Sequence, residues 1–345
     1  MIPIQNIYYM LSYAFQVLNE QGYKNIATEQ FHNTGELMAA ILEKGIAIQL
    51  KRGLGKEYIP QTEALSSLLG KIDIAESIKT QSMLRKQLIC TYDEFSVNST
   101  MNRIIKSTVA LLLRSNISKQ RKKNLRKLMM YFGDVDPPQL HTVNWNVQYN
   151  RNNQTYRMLI SVCYLVVKGL LQTQSDGSTQ LMDFLDEQRM CRLYEKFILE
   201  YYRKEYKNQI TANSSQIPWQ LDNEENTMLP VMQSDIMLQH DNRVLIIDAK
   251  YYEHSTQVQF DKHTLHSNNL YQIFTYVKNK EYELREKDHT VSGMLLYAKT
   301  DEEIYPNNVY QMSGNQITVR TLDLNLPFDE IAGQLNTIAK THFDL

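Results

Sequence analysis

The sequence predicts an α/β protein in two parts: a C-terminal domain with a mixed central sheet flanked by helices, preceded by an N-terminal mixed α/β domain. Three observations carry this expectation. The chain has 345 residues, too many for one typical domain and enough for two cores. From Leu181 onward helical and strand periodicities follow one another as helix, strand, strand, helix, strand and a closing helix. Before that point amphipathic helices dominate, with short alternating segments between them. The reading sets an N-terminal domain at residues 1–150, a helical connector and linker at 151–180, and the C-terminal domain at 181–345.

Composition excludes several classes. With 43% apolar and 22% charged residues and 22 Tyr, the chain has the makeup of a folded protein and not of a disordered one. It contains no run of about 18 apolar residues, and its start, Met1-Ile2-Pro3-Ile4-Gln5-Asn6, has neither the basic region nor the apolar core of a signal peptide. A cytoplasmic protein without membrane contact is expected. Cys90, Cys163 and Cys191 are odd in number and far apart, which predicts reduced, buried thiols and neither a disulfide framework nor a thiolate zinc site.

The elements follow in order. Ile7, Met10, Leu11, Ala14, Phe15 and Leu18 recur at helical spacing, so residues 6–18 are expected to be a helix, and Leu37, Met38, Ile41 and Leu42 place a second over 35–48. Gly53-Leu54-Gly55 ends it. Alternation at 70–74 and 87–92 predicts a small β element. Asn98-Ser99-Thr100 offers caps to a helix carrying Ile104, Ile105, Val109 and Leu112, predicted to run on toward Tyr131 and to end before Asp136-Pro137-Pro138. Residues 158–171 read as an apolar helix and 172–180 as a loop or linker. The C-terminal pattern gives a helix at 190–206, strands at 231–238 and 243–250, a helix at 269–278, a strand at 292–298 and the closing helix.

Net charge is only −1, yet the charge is unevenly spread. Between Met101 and Met130 lie nine Lys and Arg and no acid, a segment predicted to meet phosphates or an acidic partner surface. Asn102, Arg103, Lys106, Arg121, Lys122 and Lys123 are its candidate contacts with a partner or with DNA.

Chemistry concentrates elsewhere. Val244-Leu245-Ile246-Ile247 is an apolar run rich in β-formers that ends in Asp248-Ala249-Lys250, and the period of two sets Asp248 and Lys250 on one face. Asp235 stands 13 residues upstream, and the turn-like Gln239-His240-Asp241-Asn242 predicts a hairpin that brings it beside Asp248. Two carboxylates and the Ala249 backbone carbonyl supply the hard oxygens that Mg²⁺ takes, with Mn²⁺ the alternative. A lysine beside them suits the orientation of an attacking water and the stabilisation of developing negative charge. Glu195 on the preceding helix is a candidate auxiliary acid, and Gln272 and Tyr276, four apart on the following helix, are candidates for holding substrate or the lysine. His254, His263 and His266 flank this region without a zinc spacing.

Over residues 190–298 this arrangement resembles the PD-(D/E)xK nuclease superfamily, with Asp235 as first acid, Asp248 and Lys250 as the second motif and Gln272 with Tyr276 as the QxxxY helix. Gln233-Ser234, and not a proline, precedes Asp235. Ile2–Leu11, Tyr92-Asp93-Glu94-Phe95, Asn102-Arg103-Ile104-Ile105-Lys106 and Ile247-Asp248-Ala249-Lys250-Tyr251-Tyr252 are similar to McrC over nearly the whole chain. That resemblance implies a PD-(D/E)xK restriction-endonuclease-like C-terminal domain, an N-terminal stalk that enters a partner ring and stimulates its GTPase, Mg²⁺-dependent cleavage of double-stranded DNA carrying 5-methylcytosine, and an McrB-like AAA+ ring that binds GTP. The absence of any G-x-x-x-x-G-K-[ST] stretch agrees with nucleotide being bound by the partner and not by this chain. The competing readings are a non-catalytic activator or scaffold of a GTPase and a stand-alone repair or defence nuclease.

Overall fold

A computed structural model describes residues 2–345 apart from 16–17, 19–22, 24–25, 27–28, 30, 139–142, 146, 152, 176–186, 223–227, 253–256, 260–261 and 300–304. Two compact units form, one from residues 1–27 with 183–345 and one from 28–182. The first helix, α1 (Ile4–Ala14), therefore packs with the C-terminal body, where it buries Ile7, Met10 and Leu11 and where Asn6 Nδ2 donates to the carbonyls of Leu324 and Leu326 at 2.7 and 2.8 Å. A boundary drawn at residue 150 misses this because an amphipathic helix shows that it packs but not on what.

The second unit begins with α2 (Thr34–Arg52), capped by Asn33, whose side chain accepts from Glu36 N. Strands β1 (Glu57–Leu65), β2 (Lys71–Asp73) and β3 (Leu88–Ser96) make an antiparallel sheet in the order β1-β3-β2. Sequence periodicity misses β1, which is polar and carries Pro60, a residue tolerated on an edge strand. Gly70, at φ +67°, lies where an added Cβ would meet the Thr91 carbonyl at 2.3 Å, so this close approach of β2 to β3 requires glycine. Ile74 opens the short helix α3 (Ile74–Lys79) instead of extending the strand, because Asp73 caps it by accepting from Glu76 N at 2.9 Å.

Helix α4 (Thr100–Arg114) is capped by Ser99 as expected, but it stops there. A break at 115–118 precedes α5 (Lys119–Met129), capped by Ser118, so the basic segment is two helices and not one. Helix α6 (Tyr156–Ser175) runs four residues into the expected linker. The core of this unit joins α2, α4 and α6 through Leu37, Ile41, Ile104, Ile105, Leu112, Leu159 and Val162, all fully or almost fully buried.

The C-terminal body continues with α7 (Glu187–Glu205), β4 (Thr211–Asn213), β5 (Gln216–Ile217), β6 (Met232–Gln233), β7 (Ile236–His240), β8 (Arg243–Lys250), β9 (Gln257–Gln259), β10 (Lys262–Thr264), α8 (Ser267–Leu284), β11 (Thr290–Ala298), β12 (Asn308–Met312), β13 (Asn315–Leu322) and α9 (Phe328–Phe343). Six strands form a mixed sheet in the order β12-β13-β11-β8-β7-β4, with β11 parallel to β8 and β13 and the other pairs antiparallel. This is the mixed sheet flanked by helices that the sequence predicts. The central strands β8 and β11 are buried along almost their whole length, as expected where helices cover both faces of a sheet.

Val244 and Ile246 of β8 join Ile273 and Val277 of α8 in one apolar cluster. Gly293 permits the helix to approach, since a Cβ there would meet Ile273, Ile317 and Val277 at 2.8 to 2.9 Å. On α7, Tyr194, Phe197, Ile198, Tyr201 and Tyr202 are buried, and Tyr202 donates to the Leu335 carbonyl of α9 at 2.9 Å. The strand expected from 231 to 238 is interrupted at Ser234-Asp235, so Asp235 lies just ahead of β7 and outside the ladder. Among the described residues no helix is long and apolar enough to cross a membrane.

Candidate active site

The hairpin β7–β8 turns through Asp241-Asn242 with His240 opposite Arg243, and Asp241 takes the left-handed φ of 49° that such a two-residue turn demands. Ile236 pairs with Ile247, so the next residue outward on each strand, Asp235 and Asp248, come side by side. Asp235 Oδ2 accepts the backbone N–H of Ala249 at 3.0 Å, which fixes its carboxylate over the end of β8.

Asp248 is 1% exposed. Lys250 Nζ donates to its Oδ1 at 2.9 Å and lies 2.8 Å from Oδ2 without hydrogen-bond alignment, so Oδ2 has no hydrogen-bonding partner of its own among the described residues. Burial pushes the Asp248 carboxyl well above the ordinary carboxylate range, Lys250 opposes that, and the neighbouring Asp235 adds to it. For Lys250 burial favours the neutral amine, but the charge and hydrogen bond of Asp248, with Asp235 behind it, outweigh burial and hold the ammonium charged.

The predicted helix residues converge here. Lys250 Nζ also reaches Gln272 Oε1 at 3.3 Å, and Gln272 Nε2 donates to Tyr276 OH at 2.9 Å, giving a chain Tyr276–Gln272–Lys250–Asp248 across α8 and β8. Glu195 of α7 lines a cavity of about 370 Å³ together with Asp235, Arg192, Lys196, Ser214 and Ser234. Its carboxyl is raised first by burial and next by the charge of Asp235, which places the two acids within electrostatic reach.

One member of the site carries no sequence signal. The Cys191 thiol, one helical turn before Glu195, donates to Glu195 Oε1 at 3.1 Å and lies 3.9 Å from the Ala249 carbonyl. Burial, followed by the hydrogen bond and charge of Glu195, pushes it up to about 12, so it stays a protonated donor. Cys90 and Cys163 are buried as expected, whereas Cys191 is only half-buried. Tyr297, paired with Lys250 across β8 and β11, accepts from Asn269 Nδ2 at 2.9 Å and backs the same corner. His254 lies outside the described residues, and the side chain of His263 does as well; His266 packs edge-on against Tyr252 at 5.5 Å between ring centres.

Among the described residues no three His, Cys, Asp or Glu side chains converge at metal-binding distance. Two adjacent carboxylates and a buried carboxylate oxygen lacking a hydrogen-bond donor nonetheless fit a hard divalent cation joined by a backbone carbonyl, since such an ion relieves the repulsion that raises Asp248.

The candidate contacts in the second unit behave differently. Asn102 is fully buried, donating to the Gly55 and Val97 carbonyls at 2.8 Å each and accepting from Tyr156 OH at 2.9 Å. Lys106 donates to the Phe132 carbonyl at 2.8 Å and to that of Val135, and Arg103 Nε to that of Asp136 at 3.2 Å. Arg121 meets Glu29, Glu36 and Glu43 at 2.7, 3.4 and 2.9 Å. Asn102, Arg103, Lys106 and Arg121 are thus hydrogen-bonded or ion-paired within the unit itself. Lys122 and Lys123 remain accessible.

Residues 5–298 match the family model described as McrBC 5-methylcytosine restriction system component. The chain is 30% identical over 338 residues, 94% of its length and 93% of the relative's, to the type IV methyl-directed restriction enzyme EcoKMcrBC of Escherichia coli strain K12. Among solved structures it is similar to a half-complex from the tetradecameric assembly of Thermococcus gammatolerans McrB AAA+ hexamers with bound McrC, at 18% identity and a TM-score of 0.49 over 97% of this chain and 76% of that one. It is also similar to the Thermococcus gammatolerans McrBC complex, at 22% identity and a TM-score of 0.40 over 59% and 58% of the two chains.

Proposed function

The chain belongs to the family of McrBC 5-methylcytosine restriction system components, and from that membership we propose that it is the DNA-cleaving subunit, hydrolysing phosphodiester bonds at Asp235, Asp248 and Lys250 on a PD-(D/E)xK-type domain. The observation that carries the reading is the Lys250 ammonium 2.9 Å from a buried Asp248 whose neighbour Asp235 is anchored on the Ala249 amide.

Asp235, Asp248 and the Ala249 carbonyl would hold Mg²⁺, which when bound polarises the phosphodiester and acidifies water. Lys250, kept cationic by Asp248, orients the attacking water and answers the charge that develops on the phosphate. Gln272, itself held by Tyr276, fixes the Lys250 side chain from the α8 side. Glu195 is the auxiliary acid on the cavity side, and Arg192 and Lys196, which line the same cavity, supply positive charge for the DNA backbone.

Recognition of modified cytosine and the use of GTP fall to a partner in this reading. The matching family model is that of McrBC restriction system components, the Escherichia coli relative is EcoKMcrBC, and no phosphate loop occurs in this sequence. The second unit is the ring-binding part that stimulates GTP hydrolysis. Exposed apolar side chains on it, Tyr58, Ile78, Leu84 and Phe95 among them, support that assignment, since such surface is normally covered in a complex.

The test combines the purified chain with an AAA+ partner, GTP, Mg²⁺ and a methylated duplex, omitting one component at a time. Cleavage only by the complete mixture is expected. Cleavage by the chain alone would establish a stand-alone nuclease, and GTPase stimulation without cleavage would establish an activator.

A further inference from the structure

The second unit exposes two surfaces of unlike chemistry. One is apolar, built on the β1–β3 sheet and α3, where the rings of Tyr58 and Phe95 lie 4.9 Å apart in the open. The other is the outer face of α5. Leu125 is fully buried and Arg121 turns to its three glutamates, so positions 121, 125 and 132 face inward. Lys119, Lys123, Arg126 and Lys127 are exposed on the opposite side, and the stripe continues into Met130 and Tyr131, 79% and 70% exposed.

These cations are uncompensated. Arg121 has three ion pairs, while Lys119, Lys122, Lys123, Arg126 and Lys127 have none among the described residues, and no acid lies between 101 and 130. Lys119, Lys123 and Lys127 stand four apart, a spacing at which like charges repel. Lys119 in addition occupies the helix N-terminus, where positive charge opposes the dipole. Local stability therefore gives no reason for this stripe, and an anionic occupant does.

We propose that the outer face of α5 docks the sugar–phosphate backbone of duplex DNA without reading its sequence. From Lys119 to Lys127 the helix rises about 12 Å, a length over which duplex DNA carries about seven charges. The density of unpaired cations thus suits a polyanion, and Tyr131 at the end of the stripe offers a ring to the sugar edge. The apolar face of the same unit suits a folded protein instead. The choice of DNA rests on the reading of this chain as a DNA-cleaving subunit, but the test involves no cleavage.

The experiment measures binding of the full chain to an unmethylated duplex of arbitrary sequence by fluorescence anisotropy, in EDTA, across a series of salt concentrations. Replacing Lys119, Lys123 and Lys127 together by Gln is expected to weaken binding about 30- to 100-fold near physiological salt and to reduce the slope of log K against log salt by about 3. The triple Lys→Arg variant is expected to bind as wild type, and the thermal transitions of all three proteins to coincide. An unchanged slope, or a wild-type chain that does not bind duplex, overturns the proposal. So does intact DNA binding with lost association to the AAA+ partner, which would make α5 a protein interface. Asp248→Asn separates the two readings: if it still cleaves in the complete mixture the assignment of the nuclease site fails, while the docking result, measured on the α5 variants, stands.

Discussion

Two charged regions of this protein were legible as motifs, and they fold in opposite senses. At the end of β8, residues chosen for their chemistry come together: Asp235, Asp248, Lys250 and Gln272 are linked by hydrogen bonds between 2.9 and 3.3 Å that run through Lys250 and the Ala249 amide. In α4 and α5, four of the candidate contacts are satisfied inside their own unit: Asn102 is buried, Arg103 and Lys106 donate to backbone carbonyls, and Arg121 is shared by Glu29, Glu36 and Glu43. The difference lies in what the sequence specifies. A strand's period of two and a two-residue turn determine which side chains share a face, and they act over a few residues. A cluster of cations says nothing about acids elsewhere in the chain that neutralise part of it.

Substitutions can break that contrast. After the loss predicted below for Asp248→Asn, the largest effect is expected at Lys250→Ala, which should slow cleavage by about 10²- to 10³-fold by removing charge stabilisation, measured as single-turnover hydrolysis by the assembled complex. A small effect would make the β8 cluster structural, like its counterpart in the second unit. Arg121→Ala should cost about 3 kcal/mol of stability by leaving partly buried carboxylates without their cation, read from denaturant unfolding, with the salt dependence of DNA binding unchanged. If it altered that dependence and spared stability, the residue would be a surface contact after all.

Asn102→Ala should cost about 2 kcal/mol, because the carbonyls of Gly55 and Val97 and the hydroxyl of Tyr156 lose a partner in the interior. The smallest effect sharpens the comparison from the other unit. His342 is held down to about 4 by burial first and then by Arg320 and Arg243, and its Nε2 has no hydrogen-bond partner among the described residues. The unfolded chain therefore binds a proton that the folded one refuses, so stability is complete above about pH 6.5 and falls as pH drops toward 4, by about 1 kcal/mol at pH 5.5. His342→Phe should flatten this acid limb in denaturant melts taken from pH 7 to 5.

The fold was legible where periodicity was strong. Val244–Ile247 and the apolar 292–298 segment gave β8 and β11, and Ser99 gave the start of α4. Strands β12 and β13 went unread although Ser313-Gly314 joins them with φ of 50° and 92°, a turn whose Ser-Gly pair between alternating residues was the available signal. The break between α4 and α5 was hidden because Ser118 reads equally as a surface residue and as a cap. The packing of α1 on the C-terminal body, and the paired acids around Arg121, depend on contacts between distant segments that no local pattern encodes. In the site, a lone cysteine gave no sign that the Cys191 thiol would bind Glu195.

The central claim is that the buried carboxylate of Asp248 serves chemistry and not packing. Single-turnover cleavage of a methylated duplex by the complete complex carrying Asp248→Asn tests it most directly, because the substitution keeps shape and removes charge. The account predicts at least a 10³-fold loss, roughly, with the complex still assembling and hydrolysing GTP. Cleavage within about threefold of wild type would contradict it.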